Sequence, residues 1–144
     1  MMEEKKGGLI FNYFDVIKIL FERGTSAKEY SYNVAIENVI NNENINPNQF
    51  EAYFFIKIGS NEPEKPLTIQ IEAIGHFELF GEILDDVIDN YKNISAPSIV
   101  YPYIRAFLSN LTLQAGLNPI NLPPINFASK QILNKDINTV SISE

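Results

Sequence analysis

Apolar and polar residues alternate with a period of two through much of the first half of the chain. The clearest case covers residues 30–37, and similar alternation covers residues 52–58 and 67–79. Because successive side chains of a strand point to opposite faces of a sheet, these patterns predict half-buried strands. Residues 9–22 are also strand-like, but Asp15 interrupts their apolar residues, which predicts a bulge or a change of register there.

The segments between these strands predict how they pair. Residues 23–29, 41–49 and 59–66 are rich in Gly, Asn, Pro and Ser. They are too short to hold a helical crossover, so neighbouring strands are expected to pair antiparallel.

Helical spacing replaces alternation after residue 100. Pro102 suits the first turn of a helix, where its missing N–H would be unpaired anyway, and Gly116 suits the left-handed residue just past a helix end. Apolar residues recur between them at helical spacing: Ile104, Phe107, Leu108, Leu111 and Ala115. The pattern predicts one amphipathic helix. A proline-stiffened connector follows it and leads to a second, weaker helix.

Residues 81–97 form a crossover between the sheet and the long helix. Ile83, Leu84 and Val87 begin a roughly helical spacing, which predicts a short helix within the crossover. Together these elements predict an α+β domain: a four-stranded antiparallel sheet with two C-terminal helices. The size of the chain predicts a single domain over residues 1–144, with residues 1–8 and 135–144 expected to be flexible.

Composition narrows the functional classes. The formal charge of −7 argues against a nucleic-acid binder, and the absence of cysteine excludes disulfides and thiolate metal sites. No apolar run is long enough for a signal peptide or a membrane span, so a cytoplasmic protein without membrane insertion is expected.

Candidate catalytic groups are few. His76 is the single histidine and lies within a strand pattern, without a second histidine or a cysteine to complete a triad or a metal site. Asp85, Asp86 and Asp89 lack the spacing of a calcium loop and are interpreted as a solvated acidic edge. Neither an enzyme nor a cofactor is expected; converging carboxylates at Glu82 and Asp85 would reopen that question.

Aromatic residues are more abundant than a small core requires. The chain has ten Phe and seven Tyr, and Tyr53 and Phe55 make one predicted strand apolar on both faces. Two interpretations remain open: all of these side chains fill one core, or some lie in a groove or a subunit interface, where exposed apolar patches mark partner contacts.

The C-terminal half resembles the SecB family of export chaperones. The resemblance is carried by the Tyr-Pro-Tyr-x-Arg motif at residues 101–105, by Gly116, and by the Asn-Leu-Pro-Pro-Ile-Asn-Phe motif at residues 121–127. It extends more weakly through residues 67–81 and 11–22. The resemblance implies a dimer of dimers that binds unfolded or precursor polypeptides without ATP and keeps them competent for translocation.

The resemblance also implies roles for particular residues. Subunit contacts are expected from the first strand and the long helix: Tyr13, Ile17, Ile19, Ile104, Phe107, Leu108 and Leu111. A client groove is expected from the second strand, the crossover and the second helix: Tyr30, Tyr32, Val34, Ile83, Val87, Tyr91, Phe127 and Ile132.

One part of the family pattern is incomplete. The family docks the SecA export motor on an acidic patch, to which Glu22 would contribute, but Lys18 and Gln70 replace family carboxylates. Two alternatives to an export role therefore stay open: a SecB-like chaperone of a toxin–antitoxin system, or an interaction module for a single partner without motor binding.

Overall fold

Four long strands dominate the computed structural model, which describes residues 6–129, 131–132 and 139–142. They are β1 (Gly8–Arg23), β2 (Tyr32–Asn41), β3 (Gln49–Ser60) and β4 (Leu67–Phe80). All four predicted strands are confirmed, because alternation is a local signal that turn residues delimit on both sides.

The strands form one antiparallel sheet in the order β1-β4-β3-β2, and the short strand β7 (Thr139–Ile142) continues it beyond β2. Hairpins join β2 to β3 and β3 to β4 as expected. The expectation that β1 pairs with β2 was wrong, since β1 lies beside β4 in a Greek-key order. The 16 residues of β1 match the 14 of β4 better than the 10 of β2, so this pairing satisfies more backbone groups.

The first strand is irregular where Asp15 predicted it to be. The register against β4 shifts between Phe11 and Tyr13 and again between Val16 and Lys18, on either side of Asp15. Each shift adds a residue to β1 relative to β4, which bends and twists the edge strand.

One face of the sheet is buried over the three inner strands β4, β3 and β2. Its largest side chains come from the three inner strands and include Phe50, Phe54, Ile56, Ile69 and Phe77. A long helix covers this face, and its closest approach is at Gly75, where an added Cβ would lie 2.1 Å from Cγ2 of Val100. A side chain at residue 75 would push the helix away from the sheet, so the glycine sets their separation.

The helical segment is unbroken from residue 85 to residue 114. It consists of α1 (Asp85–Asn90), a π-helical turn (Tyr91–Ser95) and α2 (Ala96–Gln114), which confirms the short helix in the crossover. The prediction that Pro102 marks the helix start was wrong, because α2 begins at Ala96 with Pro97 in its first turn. The wide π turn just before Pro97 accommodates the missing N–H of the proline, and Pro102 lies on the exposed side, where water can hydrate the carbonyl left unpaired.

The end of α2 is defined by side chain and backbone together. Gly116 has a φ of 95°, which confirms the predicted left-handed residue. The N–H of Leu117 bonds the carbonyl of Thr112 and the N–H of Gly116 bonds that of Leu113, the pattern of a Schellman motif. The buried Thr112 hydroxyl donates to Leu108 and accepts from the N–H of Ile120, each at 2.9 Å, and so fixes where the connector leaves the helix.

The connector runs back along α2 and buries Leu117, Ile120 and Leu122. After it the structure differs from the prediction: where a second helix was expected, β5 (Ile125–Asn126) pairs with β6 (Gln131–Ile132). The Asn126 side chain accepts the N–H of Ala128 and so favours a turn at the point where a helix would have to begin. The expectation of flexible ends covered residues 1–8 and 135–144; within these, Gly8 begins β1 and residues 139–142 form β7, while residues 1–5, 135–138 and 143–144 lie outside the described residues.

The packing of α2 generates a stability prediction. Leu108 is fully buried, so Leu108→Ala is expected to lower the free energy of unfolding by about 2–5 kcal/mol through the cavity it leaves. Leu113 lies on the same helix and is 55% exposed, so Leu113→Ala is the matched control, with an expected change below about 0.5 kcal/mol. Denaturant unfolding measures both, and equal losses would contradict the assigned orientation of α2.

Candidate functional site

One guanidinium ties together the segments at one end of the sheet. Arg23, the last residue of β1, donates from Nε to the carbonyl of Thr25 at 3.0 Å, from Nη2 to that of Ala27 at 2.6 Å, and from Nη1 to that of Ala115 at 2.5 Å. Ala115 is the C-cap residue that directly follows α2. Arg23 therefore joins the edge strand, the loop to β2 and the end of α2, and its charge complements the negative end of the helix dipole.

A shallow groove lies beside this junction, between residues 28–32 and residues 117–120. We call it the crossover groove, because one wall belongs to the connection from β1 to β2 and not to the crossover of residues 81–97. The two walls are held together by the N–H of Asn118, which donates to the carbonyl of Lys28 at 2.9 Å, and by its side-chain amide, which donates to Glu29 Oε1 at 3.1 Å. The groove has polar rims and a floor of tyrosine and aliphatic side chains.

Tyr30 and Tyr32 form that floor. Both are 3% exposed and Val34 is fully buried, so these three predicted groove residues belong to the core of the single chain. They are buried because the connector residues Leu117 and Ile120 cover this end of the apolar face. Burial opposes ionisation of Tyr30, but the hydrogen bond with Thr25 and the charge of Arg23 outweigh it and lower the pKa of the phenol.

A second candidate surface, the apolar patch, consists of Phe80, Ile83, Leu84 and Val87. Leu84 is 74% exposed and Phe80 is 46% exposed, while Ile83 and Val87 are half-buried. An added Cβ at residue 7 would lie 2.4 Å from Ile83 Cγ1, and one at residue 8 would lie 2.8 Å from the Phe80 ring. Gly7 and Gly8 therefore allow both side chains to fold back onto the start of β1.

The remaining groove candidates lie between these two surfaces. Tyr91 is in the π turn and packs partly against the core. Phe127 is half-buried and makes edge-on contacts with Phe54 and Tyr101, at centroid distances of 6.0 and 5.8 Å. Ile132 pairs with Ile125 through its backbone, and its side chain lies outside the described part of the chain.

The eight predicted groove residues therefore do not form one continuous trough in the protomer. Tyr32 lies at the end of the sheet where β4 begins, whereas the apolar patch follows the other end of β4. The 14 residues of β4 separate them by about 45 Å. Sequence spacing could not give this separation, because it depends on the strand order.

Two hydrogen bonds hold the connector between these regions against α2. Arg105 Nε donates to the carbonyl of Leu122 at 3.0 Å, and the Tyr101 hydroxyl donates to that of Pro123. Burial raises the pKa of the Tyr101 phenol well above its ordinary value, and the nearby Arg105 charge only partly offsets it. Tyr101 and Arg105, which carried the family resemblance, thus serve to position the connector.

The outer strand β1 carries a row of uncovered apolar side chains. Tyr13, Ile17 and Ile19 are each about half exposed. Tyr13 pairs with His76 and lies on the sheet face away from the helix, whereas Ile19 pairs with the buried Ile71 on the helix face, so both faces of this edge carry exposed apolar side chains. Tyr103 contacts the rings of Phe11 and Phe14, at centroid distances of 5.4 and 5.5 Å. No described strand pairs with the outer edge of β1, and such an edge is a template for pairing with another chain.

The helix contributes less to this surface than expected. Ile104 and Leu108 are fully buried in the core of the protomer, which corrects their assignment as subunit contacts; Phe107 and Leu111 are half-buried. The exposed large apolar side chains of α2 are those of Tyr103 and Leu113, which were not among the expected subunit contacts. The helical spacing was predicted correctly, but the apolar stripe faces the sheet of the same chain and not a neighbouring subunit.

The sheet face opposite the helix carries the residues considered for motor docking. Lys18 lies directly opposite Glu72 of β4, and Glu72 opposite Phe55 of β3. Gln70 is half-buried in the adjacent row, and Glu22 is exposed near the end of β1. A lysine thus stands next to a carboxylate at the centre of this face.

Within residues 6–129, the titratable side chains are spread over separate parts of the fold. The ring of His76 stacks on Tyr13 at 4.0 Å between centroids, and its Nε2 lies 3.7 Å from Asp15 Oδ2. Asp85, Asp86 and Asp89 are exposed on α1. Within the described residues no cluster of three or more His, Asp or Glu side chains is arranged to hold a metal ion, and no helix is long and apolar enough to cross a membrane.

The fold resembles a solved structure of a SecB-like chaperone. The Rv1957 protein of Mycobacterium tuberculosis, solved in complex with a ChAD peptide from the HigA1 antitoxin, superposes with a TM-score of 0.63 over 79% of this chain and 85% of that chain. At 17% sequence identity this similarity shows the fold alone. The architecture is that of the SecB-like proteins.

The sequence comparison establishes the family. Residues 19–135 match the family model described as preprotein translocase subunit SecB, so the chain belongs to the SecB family. An uncharacterized protein of Methanocaldococcus jannaschii is 32% identical over 76% of this chain and 72% of its own length. The protein-export protein SecB of Chromobacterium violaceum is 30% identical over 54% of this chain and 52% of its own length, so the match spans about half of that relative.

The role of Arg23 can be tested directly. Arg23→Met leaves the carbonyls of Thr25, Ala27 and Ala115 without their donor, so it is expected to lower the free energy of unfolding by about 1–3 kcal/mol. It is also expected to speed amide exchange in residues 24–31. Lys18→Met removes an exposed cation from the same strand and serves as control. Unchanged exchange in Arg23→Met would show that the loop is held by other contacts.

Proposed function

We propose that this chain is an ATP-independent chaperone that binds extended, non-native polypeptides through apolar surface. Membership of the SecB family supports this proposal, as does the peptide-bound state of its structural neighbour. The observation that carries it is the apolar patch, which leaves Leu84 and Phe80 open to solvent on a chain whose formal charge is −7. The chain needs no cofactor for this function and acts in the cytoplasm, as a binding protein and not as an enzyme.

Binding at such a surface is weak at each contact and strong in sum. Burial of apolar area contributes about 25 cal/mol per Å², so one aliphatic side chain contributes roughly 1.5–3 kcal/mol. An unfolded client long enough to reach both the apolar patch and the crossover groove gains affinity through effective concentration. The acidic surface also attracts the basic segments of unfolded chains. Release then occurs by client folding or by transfer to another factor.

The outer strand β1 provides the basis for assembly. No described strand pairs with its outer edge, and its exposed Tyr13, Ile17 and Ile19 suit contact with a second copy of the chain, which supports the dimer of dimers expected for the family. Phe107 and Leu111 are half-buried on α2 and contribute to the same contacts. Assembly would place several client surfaces on one particle.

An export role would require docking of the SecA motor, whereas the alternative role with an antitoxin-like partner would not. Maintaining precursors for export would require SecA to dock near Glu22, yet Lys18 and Gln70 remove two of the carboxylates expected there. This favours, as a second candidate, a chaperone dedicated to an antitoxin-like partner, which is the kind of peptide that the structural neighbour holds. Proteins captured from growing cells separate the two roles: many unfolded precursors indicate export, and one partner indicates dedication.

The chaperone proposal predicts protection without nucleotide. The wild-type chain is expected to suppress aggregation of a denatured model protein at near-stoichiometric ratios with no ATP present. Leu84→Ser is expected to weaken client binding about tenfold, because that factor equals about 1.4 kcal/mol, close to the contribution of one buried leucine. Ile45 is a fully exposed loop residue, so Ile45→Ser is the matched control with no expected effect. Light scattering measures protection, and a wild-type chain that gives none would refute the proposal.

Assembly through β1 makes a separate prediction. Ile17 is 53% exposed, so Ile17→Asp is expected to place a charge in the contact between subunits and to reduce the native mass to that of a smaller species. Val39, 44% exposed on β2, gives the control Val39→Asp, which is expected to keep the full mass. Native mass spectrometry measures both. The same mass for both variants would move the interface away from β1.

A further inference from the structure

The outer edge of β2 is covered over only part of its length. The short strand β7 pairs antiparallel with residues 32–35, in the register Tyr32 with Ile142, Asn33 with Ser141, Val34 with Val140 and Ala35 with Thr139. No described strand pairs with residues 36–41 on that side. Among the described residues, only the end of β2 that follows the crossover groove is covered on this side.

The contact between β7 and β2 is short compared with the rest of the sheet. It comprises four residue pairs, whereas β2 and β3 share a continuous register over all ten residues of β2. A strand added at an edge is held mainly by main-chain hydrogen bonds, which any extended polypeptide can make. The β2 edge accepts such a strand, because one from the chain itself already occupies it.

The covered edge and the crossover groove are continuous. Tyr32 is the first residue of β2, contributes to the floor of the groove and pairs with Ile142 of β7. The groove therefore borders the part of the β2 edge that β7 occupies. The whole edge, ten residues long, extends about 33 Å.

We propose that the β2 edge is a strand-accepting site for extended client polypeptides and that β7 is its internal occupant, which a client displaces. The inference rests on the proposed chaperone function and specifies how clients are held. Main-chain pairing supplies binding that tolerates many client sequences, and the groove adds side-chain contacts at one end. While no client is present, β7 shields part of an edge that would otherwise pair with other chains.

An internal occupant lowers the apparent affinity for clients. If β7 covers the edge for nine-tenths of the time, the apparent dissociation constant is about tenfold higher than that of the open edge. A variant that cannot form β7 should therefore bind clients about tenfold more tightly. The variant with the deficient strand gains function, so loss of stability cannot mimic the expected result.

The experiment uses the full chain with Val140→Pro and Ser141→Pro together. Successive residues of a strand point their N–H groups to opposite sides, so one of these two residues directs its N–H toward β2. Replacing both with proline removes that donor in either case. The control carries Val140→Ile and Ser141→Thr, which keep strand-forming residues at both positions. The probe is fluorescently labelled, reduced and carboxymethylated α-lactalbumin, which stays unfolded, and its dissociation constant is measured by anisotropy.

Amide hydrogen exchange in residues 32–35 locates the binding. Exchange there is expected to be slow in the control, fast in the free proline variant, and slow again when the probe is bound to that variant. A synthetic peptide of residues 138–144 is expected to compete with the probe on the proline variant, and the same peptide with prolines at 140 and 141 is not.

The outcomes separate the two proposals. Equal dissociation constants for the proline variant and the control, or exchange in residues 32–35 that stays fast with the probe bound, overturn the strand-accepting site while the chaperone function stands. Self-association of the proline variant through this edge would assign it to a second copy of the chain and also overturn the client assignment. Absence of probe binding to every form refutes the chaperone function itself, and the present inference with it.

Discussion

A single helix has to cover the apolar face of a four-stranded sheet, and the rest of the structure follows from how far that cover reaches. Gly75 lets α2 approach the sheet closely at Val100, and the connector then buries the β2 end with Leu117, Ile120 and Leu122. The cover does not extend past β1. Ile19, which pairs with the buried Ile71 on the helix face, therefore stays half exposed.

The regions at the two ends of the sheet differ in chemistry. At the α1 end, exposed leucine and phenylalanine side chains form a surface that offers apolar burial alone. At the β2 end, polar rims, a tyrosine floor and a sheet edge allow side-chain and main-chain binding together. A SecB-family protein that holds clients with both kinds of surface need not recognise any particular sequence, because the main chain is common to all polypeptides.

Local patterns predicted all four strands, with the bounds of β1 and β4 more accurate than those of β2 and β3, together with the bulge near Asp15 and the helix end at Gly116, because each depends on residues close in sequence. The pairing of β1 with β4 depends on matching strand lengths across the sheet, which no local pattern reports. The start of α2 was predicted too late, because Pro102 has the features of a first-turn proline. In the structure Pro97 occupies the first turn of α2, directly after the π turn. The site residues were predicted least well. Tyr30, Tyr32 and Val34 have strand spacing whether or not a connector covers them, and no sequence pattern marked Arg23 as a junction residue.

The junction at Arg23 has a mechanical consequence. The side chain belongs to the last residue of β1, and its three acceptors belong to the loop and to the end of α2. Hydrogen bonds tolerate stretching of only a few tenths of an ångström before they weaken, so a slide of β1 by about 1 Å along its own axis would break this triple attachment. The position of the outermost strand and the walls of the crossover groove beside the junction are thus linked through one rigid planar group. A second molecule that shifts β1 would therefore also shift the segments on either side of the crossover groove, which is lined by Tyr30.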